Sequence, residues 1–231
     1  MEVPPDGAAT VTRTRTRGPA RVTVGCIALC LVVLALLGAA VREHFEPLLE
    51  LDATASEALY AGDDRAAGLD GLLAVLTAPG LSWVRFLVFL PVLVWLVRKR
   101  LWWTAGWVVT AVVLVAPLTS LLKEYFGRIR PPFADGGARY DSLSFPSGHS
   151  SGIATLVAVA LVLAWPLLGT SARRWCLGAG IALVLLVGLT RMWLGVHYLS
   201  DVVGGWSFGL AWTLLTALLF GAFVGGRAAL R

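Results

Sequence analysis

The sequence predicts an all-α integral membrane protein, a bundle of six transmembrane helices with both termini in the cytoplasm. Hydrophobic residues fill 58% of the 231 positions and charged residues only 14%, and the mean hydropathy is +0.78. Soluble domains carry about 25% charged residues, so this composition is typical of a chain that lies in a bilayer. Because one span needs roughly 20 apolar residues, the chain has room for several spans and no second folded domain.

Six apolar runs give the predicted spans. They lie at 22–41, 83–97, 102–122, 148–168, 176–195 and 200–222. The second run is short, and the apolar segment before it is broken by Pro79 and Gly80, which favours an interfacial or re-entrant helix over a further crossing. We therefore assign 22–224 to one membrane domain, preceded by a polar, disordered cytoplasmic segment 1–21 and followed by a short cytoplasmic tail 225–231.

Clusters of basic residues predict the orientation of the bundle. They precede the first span, follow the second and fourth spans and end the chain: Arg13, Arg15, Arg17, Arg21, Arg98, Lys99, Arg100, Arg173, Arg174, Arg227 and Arg231. In a six-span arrangement all of them lie on one side, which the positive-inside rule identifies as cytoplasmic. The acidic loop 42–82 is then extracytoplasmic. The same clusters account for the net charge of +5, so we expect no nucleic-acid partner.

Two stretches place polar side chains at the outer ends of predicted spans, where ionisable groups are functional candidates. In KEYFGRIRP, Lys123 and Arg130 are seven residues apart and would share one face of a continuous helix. In FPSGHSSG, the residues Ser147, Gly148 and His149 begin the fourth span. Because the start of a helix has unpaired N–H groups and the positive end of the helix dipole, an anion is expected to bind there.

A third stretch, TRMWLGVHYLSD, contributes Arg191, His197 and Asp201. The histidine and the aspartate are four residues apart, so a helix would bring them within hydrogen-bonding reach. A carboxylate bonded to one ring nitrogen leaves the other nitrogen able to attack or to accept a proton. The three stretches together predict a phosphate site in which Lys123, Arg130 and Arg191 neutralise the oxygens. No cluster of carboxylates is available for magnesium, and we expect neither a metal nor a cofactor.

Several of these residues also have a simpler interpretation. Lys123 and Arg128 would be a snorkelling pair at the membrane edge, His149 would pack at a helix start, and Asp201 would complement the dipole of the sixth span. His44 in the acidic loop is interpreted as a solvated surface residue. The occurrence of all the polar groups at one membrane depth favours the phosphate site.

The three stretches resemble the motifs of the type-2 phosphatidic acid phosphatase family, which is related to the vanadium-dependent haloperoxidases. The motifs K-x6-R-P, P-S-G-H and S-R-x5-H-x3-D stand here as Lys123 to Pro131, Pro146 to His149 and Thr190 to Asp201. Thr190 replaces the usual serine of the family and retains a hydroxyl. The resemblance implies a six-span lipid phosphatase at the outer face of the cell membrane.

The resemblance also implies a role for each residue of the motifs. His197 would attack phosphorus and form a phosphohistidine, Asp201 would orient and charge that imidazole, and His149 would protonate the departing oxygen. The groups that would bind phosphate are Lys123, Arg130, Ser147, Gly148 and Arg191. Expected substrates are lipid phosphates such as undecaprenyl diphosphate, phosphatidic acid or phosphatidylglycerol phosphate, and neither the choice among them nor the oligomeric state follows from the sequence.

Three alternatives to lipid phosphate hydrolysis remain open from the sequence. A vanadium-dependent haloperoxidase would have similar anion-binding residues, but those enzymes are soluble, so the predicted spans argue against it. A lipid phosphotransferase would form the same phosphohistidine and pass the phosphate to another hydroxyl. A transporter or a non-catalytic lipid-binding protein is disfavoured, because it would have little need for two histidines, an aspartate and three cations together.

Overall fold

The computed structural model describes residues 18–133, 142–223 and 226–230. Within these residues the chain forms eight α-helices and no β-strand, which confirms the all-α class. The helices are α1 (Gly18–Arg42), α2 (Glu46–Leu59), α3 (Ala67–Thr77), α4 (Ser82–Arg98), α5 (Trp102–Phe126), α6 (Gly148–Ala164), α7 (Thr170–Trp193) and α8 (Leu199–Phe220). Short 3₁₀ turns at Ala78–Gly80 and Trp165–Leu167 follow α3 and α6.

The predicted helical membrane bundle is confirmed, with five continuous candidate spans and a bent helix pair as the sixth. Among the described residues, five segments are long and apolar enough to cross a bilayer: Arg21–Arg42, Trp102–Phe126, Gly148–Leu167, Thr170–Trp193 and Leu199–Phe220. The sixth is a pair, Ala67–Gly80 and Ser82–Arg98, bent by 51°. With 17 residues, α4 is shorter than the roughly 20 that a span needs. The pair is either one broken span or, as the sequence predicted for the segment before α4, a re-entrant helix followed by a short span.

Two predicted span starts lie four or more residues inside the helices of the structure, for a common reason. The helix of the fifth predicted span, α7, begins at Thr170 rather than at 176, and it carries Arg173 and Arg174 near its start. The first helix begins at Gly18 rather than at 22. Charged residues end an apolar run without ending a helix, because backbone hydrogen bonding continues into the interface. The predicted N-terminal segment lies outside the described residues up to position 17, and positions 224, 225 and 231 lie outside them at the other end.

The alternating direction of the helices brings the sequence motifs to one end of the bundle. The end of α1 meets the end of α5, where Arg42 Nη1 donates to Tyr125 O at 3.1 Å. The starts of α6 and α8 meet where Ser147 N donates to Asp201 O at 2.9 Å. We call this the polar end. The basic clusters at 98–100 and 173–174 lie at the start of α5 and of α7, and therefore at the opposite end.

Glycines allow α6 and α8 to pack closely at the polar end. A Cβ atom at Gly205 would lie 2.5 Å from Ser147 O, and one at Gly209 would lie 2.3 Å from Ser151 O. These glycines form a G-x-x-x-G pattern, which lets helix backbones approach in a membrane. The close approach of the two helices fixes the position of the α6 start relative to Asp201.

We expect Gly209→Ala to destabilise the protein, because the new methyl group would meet backbone atoms that cannot rotate away. Overpacking of this kind costs roughly 1–3 kcal/mol, so the thermal unfolding midpoint in detergent should fall. The matched control is Gly25→Ala in α1, where a Cβ atom meets nothing within 4 Å. Equal midpoints for the two variants would show that the α6–α8 contact does not limit stability.

Candidate active site

Lys123 and the turn after it form the first side of the site. Its Nζ donates to the carbonyl oxygens of Leu143 and Ser144, the latter at 3.3 Å. An ammonium group has three N–H donors, so one remains for an anion. The helix ends at Gly127, whose φ of +66° lies in the left-handed region that glycine adopts without strain. This turn directs the following residues back over the polar end.

Arg130 binds the loop that carries His197. Its Nη1 donates to Val196 O at 2.7 Å and lies 3.1 Å from His197 Nε2, while its Nε donates to Ser142 O at 2.8 Å. A guanidinium only donates hydrogen bonds, so Nε2 is the acceptor. The imidazole proton is therefore on Nδ1. This assignment leaves the Nε2 lone pair directed toward Arg130.

The carboxylate of Asp201 holds the other side of the ring. His197 Nδ1 lies 3.2 Å from Asp201 Oδ2, and the same oxygen accepts from Ser144 Oγ and from Tyr198 N at 2.9 Å. The exposed fraction of His197 is 2% and that of Asp201 is 0%. These bonds fix both the tautomer and the plane of the imidazole.

Burial and nearby cations keep His197 neutral. Desolvation, and then the positive charges of Lys123, Arg130 and Arg191, lower the pKa of the His197 imidazole well below its usual 6.5. A depressed pKa means that the ring stays unprotonated at neutral pH, with the Nε2 lone pair available. Of these cations, Arg130 contacts the ring directly, at Nε2.

The start of α6 offers backbone N–H groups beside these cations. Ser147 is the N-cap residue, and its side chain accepts from Ser150 N at 3.4 Å. The next two amides, of Gly148 and His149, precede the helical hydrogen-bond pattern. A Cβ atom at Gly148 would meet nothing within 4 Å. The space beside this glycine and the positive end of the helix dipole suit an anion.

The corner between α3 and α4 covers His149 and Arg191. A Cβ atom at Gly80 would lie 2.9 Å from His149 Cβ and 3.0 Å from its Cδ2. Arg191 Nη1 donates to Thr77 Oγ1 at 3.2 Å. Residues far away in the sequence thus orient His149 and Arg191. The sequence analysis did not identify Thr77 or Gly80 as neighbours of the site.

Three further polar residues complete the site. The interpretation of Arg128 as a snorkelling residue is wrong, because its side chain is only 8% exposed and forms ion pairs with Asp52 and Asp201. Asp52 belongs to the acidic segment predicted as a loop, yet it is 1% exposed. Ser144 joins the carboxylate of Asp201 to the imidazole, 3.3 Å from Nδ1. His44 is exposed, as a surface residue would be.

The charged side chains of the site do not form a typical metal centre. Across 18–133, 142–223 and 226–230, no three His, Cys, Asp or Glu side chains are grouped as metal ligands would be. The aspartates that lie near each other, Asp52 and Asp201, are joined by Arg128. Asp201 occupies the Nδ1 side of the imidazole and the cation Arg130 occupies the Nε2 side, so the Nε2 side fits an oxyanion rather than a metal ion.

The chain resembles known proteins over the region that holds these residues. A family model described as the PAP2 superfamily matches residues 103–224. Phosphatidylglycerophosphatase B of Bacillus subtilis is 42% identical over 96 residues, which cover 40% of this chain and 46% of the relative. A lipid A 1-phosphatase of Rhizobium etli is 36% identical over 130 residues, 51% of each chain. The chain thus spans about half the length of these relatives.

A more distant relative and a solved structure extend the likeness. An undecaprenyl-diphosphatase of Sulfolobus acidocaldarius is 28% identical over 151 residues, 63% of this chain and 68% of the relative. A crystal structure described as the first transmembrane PAP2 type phosphatidylglycerolphosphate phosphatase, from Bacillus subtilis, aligns with a TM-score of 0.68 and 27% identity. That alignment covers 84% of this chain and 94% of the other.

Proposed function

We propose that the chain, which belongs to the PAP2 superfamily, hydrolyses the phosphate or diphosphate group of a membrane lipid through a phosphohistidine at His197. The observation that carries the proposal is the position of the buried His197 imidazole, whose Nε2 faces Arg130 while Nδ1 faces Asp201. The relatives support the substrate class, because their names describe phosphatases of phosphatidylglycerol phosphate, of lipid A and of undecaprenyl diphosphate.

The first chemical step forms a bond between nitrogen and phosphorus. Since Arg130 Nη1 is 3.1 Å from Nε2, a phosphate oxygen bound by Arg130 places phosphorus beside the lone pair. Attack by Nε2 breaks the bond to the lipid oxygen, and that oxygen leaves with its electron pair and takes a proton from the imidazolium form of His149, which becomes neutral. Asp201 stabilises the positive charge on the phosphorylated ring, as a carboxylate does for other catalytic imidazoles.

The second step releases phosphate. Water attacks phosphorus, His149 accepts its proton, and the bond between nitrogen and phosphorus breaks, which restores neutral His197 and yields inorganic phosphate. Phosphoryl transfer chiefly requires positioning and neutralisation of the equatorial oxygens. Lys123, Arg130, Arg191 and the amides at the start of α6 supply both, so we infer that the reaction needs no metal ion.

The positions of the basic clusters favour an extracytoplasmic site. The site occupies the polar end of the bundle, whereas the clusters at 98–100 and 173–174 occupy the opposite end. Basic residues near the ends of spans are retained in the cytoplasm. The polar end therefore faces outward, with both predicted termini inside, and it meets lipid head groups of the outer leaflet.

The direct test is phosphate release from a panel of lipids by the purified protein in detergent. We expect hydrolysis of at least one among phosphatidylglycerol phosphate, phosphatidic acid and undecaprenyl diphosphate. The rate should be unchanged by EDTA, because side-chain cations neutralise the phosphate. It should be lost with vanadate, which mimics pentavalent phosphorus beside His197.

The panel can also contradict the proposal. A rate that disappears with EDTA and returns with a divalent cation would overturn the metal-independent mechanism. No phosphate release from any lipid, with transfer to an added acceptor alcohol instead, would identify a phosphotransferase. The absence of both reactions would favour a non-catalytic lipid-binding role.

A further inference from the structure

A buried charge network connects α2, outside the five continuous spans, to the proposed nucleophile. Arg128 Nη2 donates to Asp52 Oδ2 at 2.7 Å, and Nη1 donates to Asp201 Oδ1 at 2.9 Å. Asp52 also holds the start of α8, because its Oδ1 accepts from Ser200 N at 2.9 Å and its Oδ2 accepts from Ser200 Oγ at 2.6 Å. The guanidinium lies over the ring of Tyr198, 4.0 Å from its centroid.

This network determines the orientation of the Asp201 carboxylate. The oxygen Oδ2 is used by the His197, Ser144 and Tyr198 donors, and Arg128 holds the other oxygen. Rotation of the carboxylate would break both sets of bonds. Because Asp201 in turn orients the imidazole, the position of Nε2 depends on a guanidinium that is bonded to Asp201.

Arg128 differs from Arg130 in the partners of its guanidinium. Its guanidinium is occupied by Asp52, Asp201, Ser200 and the face of Tyr198, whereas Arg130 contacts Nε2 itself. A buried ion pair stabilises a fold only weakly when desolvation is counted. A bridge between two buried carboxylates beside an active imidazole therefore has a better explanation in geometry than in stability.

We propose that Arg128 and Asp52 are positioning residues for the reaction assigned above, and this inference rests on the proposed function. Asp52 anchors both Arg128 and the start of α8. Arg128 fixes the Asp201 carboxylate, so that His197 presents Nε2 to phosphorus. Neither residue touches the substrate. The segment around α2 is accordingly a part of the catalytic apparatus, although it lies far from the motifs in sequence.

The proposal predicts a loss in kcat rather than in affinity. A displacement of about 1 Å in a reacting group costs on the order of 10²-fold in rate, so we expect Arg128→Gln and Asp52→Asn each to lower kcat by roughly 10–100-fold. The KM for the lipid and the inhibition constant for inorganic phosphate should change less than about threefold, because the phosphate-binding cations are intact. The double variant should lose no more than the worse single variant, because both changes break one network.

The acid limb of kcat/KM gives a second readout. His197 contacts Arg130 from the segment after α5 and Asp201 from α8. The other charged or titratable groups that act on it electrostatically are Lys123 from α5, Arg128 from the segment after it, His149 from α6 and Arg191 from α7, with Asp52 from α2 paired to Arg128. Removing the positive charge of Arg128 favours the imidazolium, so the acid limb should move to higher pH. Removing the negative charge of Asp52 should move it to lower pH. A general loosening of the fold would not shift the two variants in opposite directions.

The matched control is Asp70→Asn, which removes the charge of Asp70 on α3 from its ion pair with Arg65, two residues before that helix. The change does not touch the network, so this variant should retain wild-type kcat. Asp52→Asn is nearly isosteric and keeps an acceptor for Ser200 N, so it provides a folded variant if Arg128→Gln does not fold.

A kcat within twofold of wild type for folded Asp52→Asn would overturn the positioning role, as would a parallel rise in KM and the phosphate inhibition constant. His197→Ala assayed alongside separates the two proposals, since its full activity would refute the phosphohistidine mechanism itself.

Discussion

Replacing His197 with alanine is expected to abolish lipid phosphatase turnover, by a factor on the order of 10⁶ as for other residues that act as one catalytic unit. The variant would retain the cations that bind phosphate but would have no lone pair beside phosphorus. Initial rates of phosphate release measure the loss. Rapid quenching with radiolabelled substrate should show a phosphoenzyme in the wild type that is stable in alkali and labile in acid, and none in the variant.

The control for this experiment is His44→Ala, which removes an exposed histidine between α1 and α2 and should leave the rate unchanged. The thermal midpoint of each variant in detergent shows that both are folded. Phosphoenzyme formation in His197→Ala would assign the nucleophile to another side chain. Direct attack by water would be indicated if wild-type turnover proceeded without any covalent intermediate under the same quench.

The spans could be predicted from sequence because hydropathy is a local property of the chain. Each of the five continuous spans overlaps a predicted apolar run. The second span was harder to predict, because α4 has only 17 residues and is joined to α3 at a bend of 51°. Pro79 indicates that a break is present, but the angle and the contact of Gly80 with His149 of α6 are tertiary features.

The motif residues could be identified from sequence, but the local geometry was predicted only in part. The expectation that Lys123 and Arg130 share one face of a continuous helix is wrong, because α5 ends at Phe126 and the left-handed Gly127 turns the chain before Arg130. His197 precedes the first residue of α8 and still meets Asp201 at 3.2 Å, as their four-residue spacing predicted. The assignment of a role to each residue rests on the family resemblance and stays a prediction until variants are assayed.

The network behind Asp201 could not be predicted, because it joins residues that are distant in sequence. Asp52 is separated from Ser200 by 148 positions, and it stood among several acidic residues of an apparently solvated loop. Only tertiary packing distinguishes it, by burying its carboxylate against α8. The same holds for Thr77, which reaches Arg191 across 114 positions, and for Arg128, whose charge alone was compatible with a surface role.

Replacing His149 with alanine is expected to slow hydrolysis of a lipid phosphate by roughly 10³-fold, the usual scale of general acid catalysis. The lipid alkoxide is a strong base and needs a proton as it leaves. An aryl phosphate releases a much weaker base, so its first step should be slowed far less. The second step still lacks a base, and the variant should therefore give a burst of one phenol per enzyme followed by slow turnover.

This pattern separates the acid from the nucleophile, because His197→Ala would give no burst with any substrate. Since His149 packs against Gly80, the His149→Gln variant, which fills more of the space, controls for collapse of the α3–α4 corner. Equal losses for lipid and aryl substrates in both variants would contradict the acid role and would place His149 among the groups that bind phosphate. A burst seen only with the aryl substrate would instead show that the lipid oxygen needs a proton from His149. The imidazole of His149 would then act on the side of phosphorus opposite to Nε2 of His197.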